Sequence, residues 1–150
     1  MERREFCVHA CQVVSLATLG SALQGCAGSN GPSGINAPPL PTISGSIVSG
    51  AVNLTIGAGS PLATSGGAAL VQTPSGSFLV SRTGDTFIAL TAICTHQVCT
   101  ITGFQSSSYV CPCHGSTYSL SGSVQIGPAN RSLQQFATSF ANNVLTIRVA

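Results

Sequence analysis

The chain has 150 residues, a formal net charge of +2 and only 5% charged residues. This length suits one domain with a single core. The arginines are few and scattered and lysine is absent, which excludes an extended nucleic-acid-binding surface. Serine, threonine and glycine are abundant, but residues 47–149 are rich in Val, Ile, Thr and Leu, which favours β-sheet over disorder.

Residues 1–26 differ in composition from the rest of the chain and are predicted to direct export. Arg3 and Arg4, then Phe6 and an apolar stretch that ends in small residues, resemble a twin-arginine signal. The sequence Leu-Gln-Gly-Cys at 23–26 resembles a bacterial lipoprotein cleavage site, with Cys26 as the acylated residue. The alternative is an uncleaved anchor, since the stretch is nearly long enough to cross a bilayer of about 30 Å. Both predict a membrane-anchored head on the periplasmic, extracytoplasmic side of a bacterial cell envelope.

Residues 27–46 are rich in Gly, Ser and Pro and are predicted to form a flexible linker. Residues 47–150 are then the folded head. Cysteines exported from the cytoplasm are free to form disulfides. Once the signal-region cysteines and Cys26 are set aside, the head retains an even number of cysteines. These are Cys94, Cys99, Cys111 and Cys113.

The head is predicted to be all-β, a small antiparallel sandwich or barrel, because short β-rich segments alternate with turn residues. No segment after residue 26 shows sustained helical periodicity. Hairpin turns are expected at 82–85 and at Asn142-Asn143, and a further turn at 74–76. The predicted strands and strand pairs cover residues 46–57, 68–73, 77–93, 107–111, 116–120, 123–127 and 133–149.

Two short segments, "CTHQVC" at 94–99 and "CPCHGS" at 111–116, concentrate the four head cysteines and both head histidines. One Cys and one His in each segment follow the spacing C-x-H, fourteen residues, C-x-x-H, which suits a site that mixes thiolate and imidazole ligands. The remaining pair, Cys99 and Cys113, is placed symmetrically in the two segments, which suggests a disulfide that joins the loops.

These two segments resemble the cluster-binding boxes of Rieske 2Fe–2S proteins, and the resemblance extends over roughly residues 45–150. It implies one 2Fe–2S cluster, with Cys94 and Cys111 on one iron and His96 and His114 on the other. Histidine ligation raises the potential to roughly −150 to +300 mV, against about −400 mV for plant-type ferredoxins. Neutral imidazole adds less negative charge than thiolate, so reduction costs less.

Three further features extend the resemblance, and the first two are those of the high-potential branch of that family. Ser116 and Tyr118 stand where relatives have hydroxyls that donate hydrogen bonds to a bridging sulfide and to a cysteine sulfur. The disulfide between Cys99 and Cys113 is typical of this branch, and on chain-entropy grounds it contributes about 3 kcal/mol. The segment 127–130, "GPAN", resembles the glycine-proline loop that covers the cluster.

The resemblance implies a one-electron carrier, the iron–sulfur subunit of a quinol-oxidising, cytochrome bc-like complex, rather than a self-sufficient enzyme. The expected partners are a membrane-bound cytochrome b-like protein and a cytochrome c-like acceptor. His114 would accept a hydrogen bond from quinol and take a proton, and His96 would share that role. One departure is Gln97-Val98, where quinol-oxidising relatives commonly have Leu-Gly.

Three other interpretations are open. Gln97 at the docking tip favours an electron-relay subunit of another exported oxidoreductase, such as the small subunit of an arsenite-oxidase-like molybdopterin enzyme, or a free carrier. Zinc is the rival metal for two cysteines and two histidines. However, C-x-H is an unusual zinc spacing, and zinc leaves Ser116 and Tyr118 without a role.

Overall fold

The structure, a computed structural model, describes residues 35–149. The predicted signal, its lipidation residue Cys26 and the first part of the predicted linker lie outside the described residues. Within the described range all regular secondary structure is strand, and no helix there is long and apolar enough to cross a membrane. The twelve strands are β1 (Thr42–Ser44), β2 (Ser46–Val48), β3 (Ala51–Thr55), β4 (Ala68–Thr73), β5 (Gly76–Thr83), β6 (Thr86–Thr91), β7 (Gly103–Gln105), β8 (Ser108–Val110), β9 (Thr117–Ser119), β10 (Val124–Ile126), β11 (Gln135–Ala141) and β12 (Val144–Arg148).

The strands form two sheets, and the all-β prediction is confirmed. The larger sheet has eight strands in the order β1-β4-β5-β6-β11-β12-β3-β2, and the smaller has four in the order β10-β9-β8-β7. Every named pair is antiparallel except β1 with β4. Burial alternates along β3 and β12, as it does in strands that cover a core with one face.

The predicted hairpins form where the turn residues indicated. β5 and β6 join through Gly84, whose φ of 59° lies in the left-handed region that glycine tolerates, and β11 and β12 join through Asn142 and Asn143, with φ of 51° and 60°. The short strand β7 was not predicted. It pairs with β8 across a turn at Ser106 and Ser107.

The predicted linker is too long at its C-terminal end. Leu40 is only 5% exposed, and β1 extends the larger sheet. The Leu40 N–H donates to the carbonyl of Thr102, and the Pro38 carbonyl accepts from the N–H of Phe104. The folded head therefore begins before residue 47. Gly, Ser and Pro dominate this segment, but one leucine and an extended backbone are enough to attach it to both sheets.

The core consists of two apolar clusters. One lies within the larger sheet and includes Val52, Val80 and Leu145, all fully buried. The other lies between the larger sheet and the smaller one, and it contains Tyr109 and Tyr118 together with the cysteines at 94 and 111. The second cluster thus continues directly into the two predicted ligand loops.

Candidate metal centre

The two ligand loops are built alike. The first follows β6 and spans residues 94–99, and the second connects β8 to β9 and spans 111–116. In each, the N–H of the first residue donates to the carbonyl of the sixth: Cys94 to Cys99 at 2.9 Å and Cys111 to Ser116 at 2.9 Å. Gly115, with φ of 77°, permits the sharp return of the second loop. Each loop is therefore a turn that a backbone hydrogen bond closes.

A disulfide joins the two loops. Cys99 and Cys113 are bonded, with Cα atoms 6.6 Å apart, which confirms the predicted pairing. The sulfur of Cys111 lies within 4.8 Å of both disulfide sulfurs. Because the disulfide consumes its two thiols, Cys111 is the one free thiol of this sulfur group.

The structure brings the four predicted ligand residues to the same end of the head. Cys94 and Cys111 are free thiols, 5% and 1% exposed. The rings of His96 and His114 lie with centroids 4.9 Å apart at 88°, and His114 is exposed. His96 Nδ1 is buried without a hydrogen-bond partner. A buried ring nitrogen without a hydrogen-bond partner destabilises the fold unless it binds a ligand. Two thiols and two imidazoles fit a metal centre that takes both sulfur and nitrogen ligands.

Tyr118 and Ser116, the two predicted hydroxyl donors, are fully buried at this site. Tyr118 Oη lies 3.2 Å from Cys94 Sγ and accepts a hydrogen bond from the Thr95 N–H at 3.2 Å. Ser116 Oγ accepts from the N–H of Ala129 at 2.9 Å. The hydroxyl proton of Ser116 is not used in that bond, so it is available to a cofactor atom.

The two thiols ionise unequally. Burial opposes ionisation of Cys94, but hydrogen bonds from the Tyr118 hydroxyl and the His96 backbone outweigh it, so the pKa of Cys94 is lowered. Burial raises the pKa of Cys111, and proximity to Cys94 raises it further. Burial also raises the pKa of Tyr118, as does the adjacent Cys94. Tyr118 therefore stays protonated and able to donate.

Thr95 is a site residue that sequence reasoning missed. Its hydroxyl donates to the carbonyl of Arg131 at 2.6 Å and lies 3.1 Å from Tyr118 Oη. Hydroxyls from the two ligand loops thereby hold the predicted covering segment 127–130 and the residue after it, Ser116 at Ala129 and Thr95 at Arg131. The only signal in the sequence is the position of Thr95 between two predicted ligands.

The tip of the first loop is solvent-exposed. Val98 is 92% exposed, and Gln97 beside it is also exposed. His114 reaches the surface from the second loop. The predicted docking tip is therefore an accessible surface that combines an apolar side chain, an amide and an imidazole.

Comparison with known proteins identifies the fold and its family. Residues 59–137, more than half of the chain, match the family described as Rieske [2Fe-2S] domain. The chain is 32% identical over 73 residues to the cytochrome b6-f complex iron-sulfur subunit of Chlorobaculum thiosulfatiphilum, covering 48% of this chain and 40% of that protein. It is 47% identical over 53 residues to the chloroplastic subunit of Pisum sativum, covering 35% and 23%. The chain thus spans less than half the length of either relative.

Two solved structures have a similar fold. The plasma membrane Rieske protein PetC3 of the cyanobacterium Synechocystis PCC 6803 is 30% identical with a TM-score of 0.50, over 55% of this chain and 87% of that one. A chain from the complex of reduced oxygenase and oxidized ferredoxin in carbazole 1,9a-dioxygenase is 23% identical with a TM-score of 0.50, over 64% and 92%, which shows the fold alone. The chain belongs to the Rieske family, and its cofactor is one 2Fe–2S cluster.

Proposed function

We propose that the head transfers one electron at a time, with Cys94 and Cys111 binding one iron of the cluster and His96 and His114 the other. The observation that carries this proposal is the buried, unpartnered Nδ1 of His96 beside two buried free thiols. When bound, the cluster supplies a centre that accepts and returns a single electron. The Cys99–Cys113 disulfide keeps the two loops, and so the four ligands, together.

Tyr118 and Ser116 set the potential in this proposal. Tyr118 lies 3.2 Å from Cys94 Sγ and donates to it, which withdraws negative charge from the ligand. Ser116 accepts from Ala129 and keeps its own proton for a cluster sulfide. Hydrogen bonds to ionised groups strengthen as negative charge grows, so both favour the reduced state and raise the potential.

His114 is the contact for quinol in the proposed setting, the iron–sulfur subunit of a cytochrome bc-type complex. The His114 ring is exposed, so with one ring nitrogen bound to the cluster the other would be accessible to quinol. In its deprotonated form that second nitrogen would accept a hydrogen bond from quinol and take its proton. Similarity to proteins named as cytochrome b6-f complex iron-sulfur subunits supports this assignment and a cytochrome b-like partner. The predicted signal or anchor at residues 1–26 supports a membrane tether outside the cytoplasm.

Gln97 favours a second candidate, a relay subunit of another exported oxidoreductase. An amide at the exposed tip suits a polar protein surface better than an apolar quinol pocket. Gln97→Leu separates the two. Faster quinol oxidation by the variant within its complex supports the quinol role, and unchanged electron exchange with no quinol turnover supports the relay.

The deciding experiment is an EPR-monitored redox titration of the cluster-loaded protein at several pH values. The expected result is a Rieske-type signal with a high midpoint potential that falls as pH rises. The sign follows from linkage: if reduction takes up a proton, raising the pH opposes reduction, and the midpoint falls by up to about 59 mV per pH unit for each proton. A low, pH-independent midpoint contradicts quinol chemistry, and zinc in place of iron contradicts the ligand assignment.

A further inference from the structure

A groove of about 450 Å³ opens beside the first ligand loop. One wall is the loop itself, from Cys94 to Val98, and the other is the segment from Arg131 to Gln134. Ile93 and Val98 give it exposed apolar surface, being 38% and 92% exposed. The groove thus combines apolar contact area with one cationic side chain, directly next to a proposed cluster ligand.

Arg131 dominates the electrostatics of this end of the head. Among the described residues Asp85 is the one acidic side chain, and it pairs with Arg82 at 3.4 Å. Arg131 and Arg148 are the other two charged residues in that range, and Arg148 lies on β12, outside the groove. The electrostatic attraction of a single charge extends further when no opposite charge lies nearby. The side chains of the described residues therefore give the groove one unpaired positive charge.

The backbone of Arg131 is fixed relative to the ligand loop. Its carbonyl accepts the Thr95 hydroxyl at 2.6 Å, and Thr95 lies between Cys94 and His96. Two residues earlier, Ala129 is held by Ser116 of the second loop. Because Arg131 and His96 line the same groove, an anionic group that pairs with Arg131 would lie in the groove that His96 also lines.

We propose that this groove docks an acidic redox protein, whose carboxylate pairs with Arg131 while apolar surface next to its own redox centre covers Ile93 and Val98. This inference rests on the proposed electron-transfer function. The step is one electron from the reduced cluster to the oxidised centre of the partner, with no bond formed or broken. Arg131 acts by orienting the encounter, since complementary charge mainly raises the association rate.

The test uses cluster-loaded protein and two forms of one redox probe, native cytochrome c, which is basic, and succinylated cytochrome c, in which lysines carry carboxylates. Stopped-flow absorbance gives the rate of approach to equilibrium with each form at low and high ionic strength. Arg131→Gln is compared with Arg148→Gln, which removes the same charge from the larger sheet. For each variant the ratio of the two rates is used, so a shift in cluster potential cancels.

The expected result is that the wild-type protein prefers the succinylated form at low ionic strength. Arg131→Gln lowers that preference on the order of threefold to tenfold, and Arg148→Gln leaves it nearly unchanged. Salt abolishes the preference in all three proteins. Equal effects of the two substitutions, or wild-type exchange without a charge preference, overturn the docking inference alone. If loaded protein exchanges electrons with neither form, the proposed function fails as well.

Discussion

The eight-stranded and four-stranded sheets are stabilised by different means. In the larger sheet the central strands have five to eight residues, and their core is entirely apolar. In the smaller sheet every strand has three residues. Its core adds two thiols and two tyrosines to the apolar side chains. Burial of the alternating apolar side chains is enough to stabilise the larger sheet. The three-residue strands of the smaller sheet bury too little apolar surface to be stable by burial alone.

In the smaller sheet a disulfide, side-chain hydrogen bonds and the N-terminal segment compensate for the limited apolar burial. The disulfide ties its loops, and two hydroxyls hold the covering segment. The N-terminal segment crosses the free edge of β7, with Pro39 bridged to Gly103. The same segment reaches the second ligand loop, where a Cβ at Gly115 would lie 2.8 Å from Ile35 Cδ1. The smaller sheet therefore depends on a few particular residues, and the larger sheet on many interchangeable ones.

Removing one core side chain from the larger sheet is expected to have the largest effect on stability. Leu145→Ala leaves a cavity at a fully buried position and lowers the free energy of unfolding by about 3 to 5 kcal/mol. The midpoint potential of the cluster should stay the same, because Leu145 belongs to the other core cluster. Urea unfolding and a redox titration measure the two quantities. A shifted midpoint would show that the two sheets are coupled.

Removing the disulfide is expected to affect the cluster region more than the larger sheet. Replacing Cys99 and Cys113 together by serine frees a loop with a sequence separation of 14, which costs about 3 kcal/mol. The loss is expected in the cluster region, so the loaded protein should lose its EPR signal faster than the larger sheet loses its strand circular dichroism. Simultaneous loss of the two signals would contradict separate stabilisation of the sheets.

The junction between the sheets offers a pH-dependent test. Burial raises the pKa of Tyr109 to about 12, only partly offset by the neighbouring Ser81 hydroxyl. The two hydroxyls are neighbours without hydrogen-bond geometry, so both are buried and unpartnered. Because the folded-state pKa exceeds the unfolded value of 10.0, the stability contribution is complete below pH 10 and is lost as pH rises towards 12.

Tyr109→Phe should remove the loss of folding stability at alkaline pH that ionisation of Tyr109 causes. At pH 7 the variant is expected to be as stable as the wild type or more so by about 1 kcal/mol, because an unpartnered buried hydroxyl is gone. Between pH 9 and pH 12, the wild type should lose about 2 to 3 kcal/mol more than the variant. Urea unfolding of both proteins across the alkaline range gives the difference. Parallel pH curves would mean that the tyrosine ionises equally in both states.

The sequence was most informative where neighbouring residues determine the outcome. The hairpin at Gly84 and the turn at Asn142-Asn143 follow from local backbone preference, and the ligand loops from two short motifs. The disulfide between Cys99 and Cys113 was also predictable, because its residues lie inside those motifs. In each case a few adjacent residues carry the whole signal.

Contacts between distant residues were not predictable in the same way. Leu40 gives no local sign that its backbone binds Thr102, so the linker was predicted to extend too far. The bond from Thr95 to Arg131 spans a separation of 36 residues, and nothing in either segment specifies it. The short strand β7 gains its stability from pairing with β8 in the sheet, which local propensity does not encode.

The smallest expected effect is on the midpoint potential of the cluster, in a variant that keeps the packing of the site. Tyr118→Phe removes the hydroxyl 3.2 Å from Cys94 Sγ and leaves the ring in the core. Losing one hydrogen bond that strengthens on reduction costs about 1 kcal/mol of preference for the reduced state, so the midpoint should fall on the order of 50 mV. Phe104→Leu, an aromatic change that removes no hydroxyl, is the control. A redox titration that finds equal shifts in both variants would assign the effect to packing, and the smaller sheet would then tune its cofactor through shape instead of hydrogen bonds.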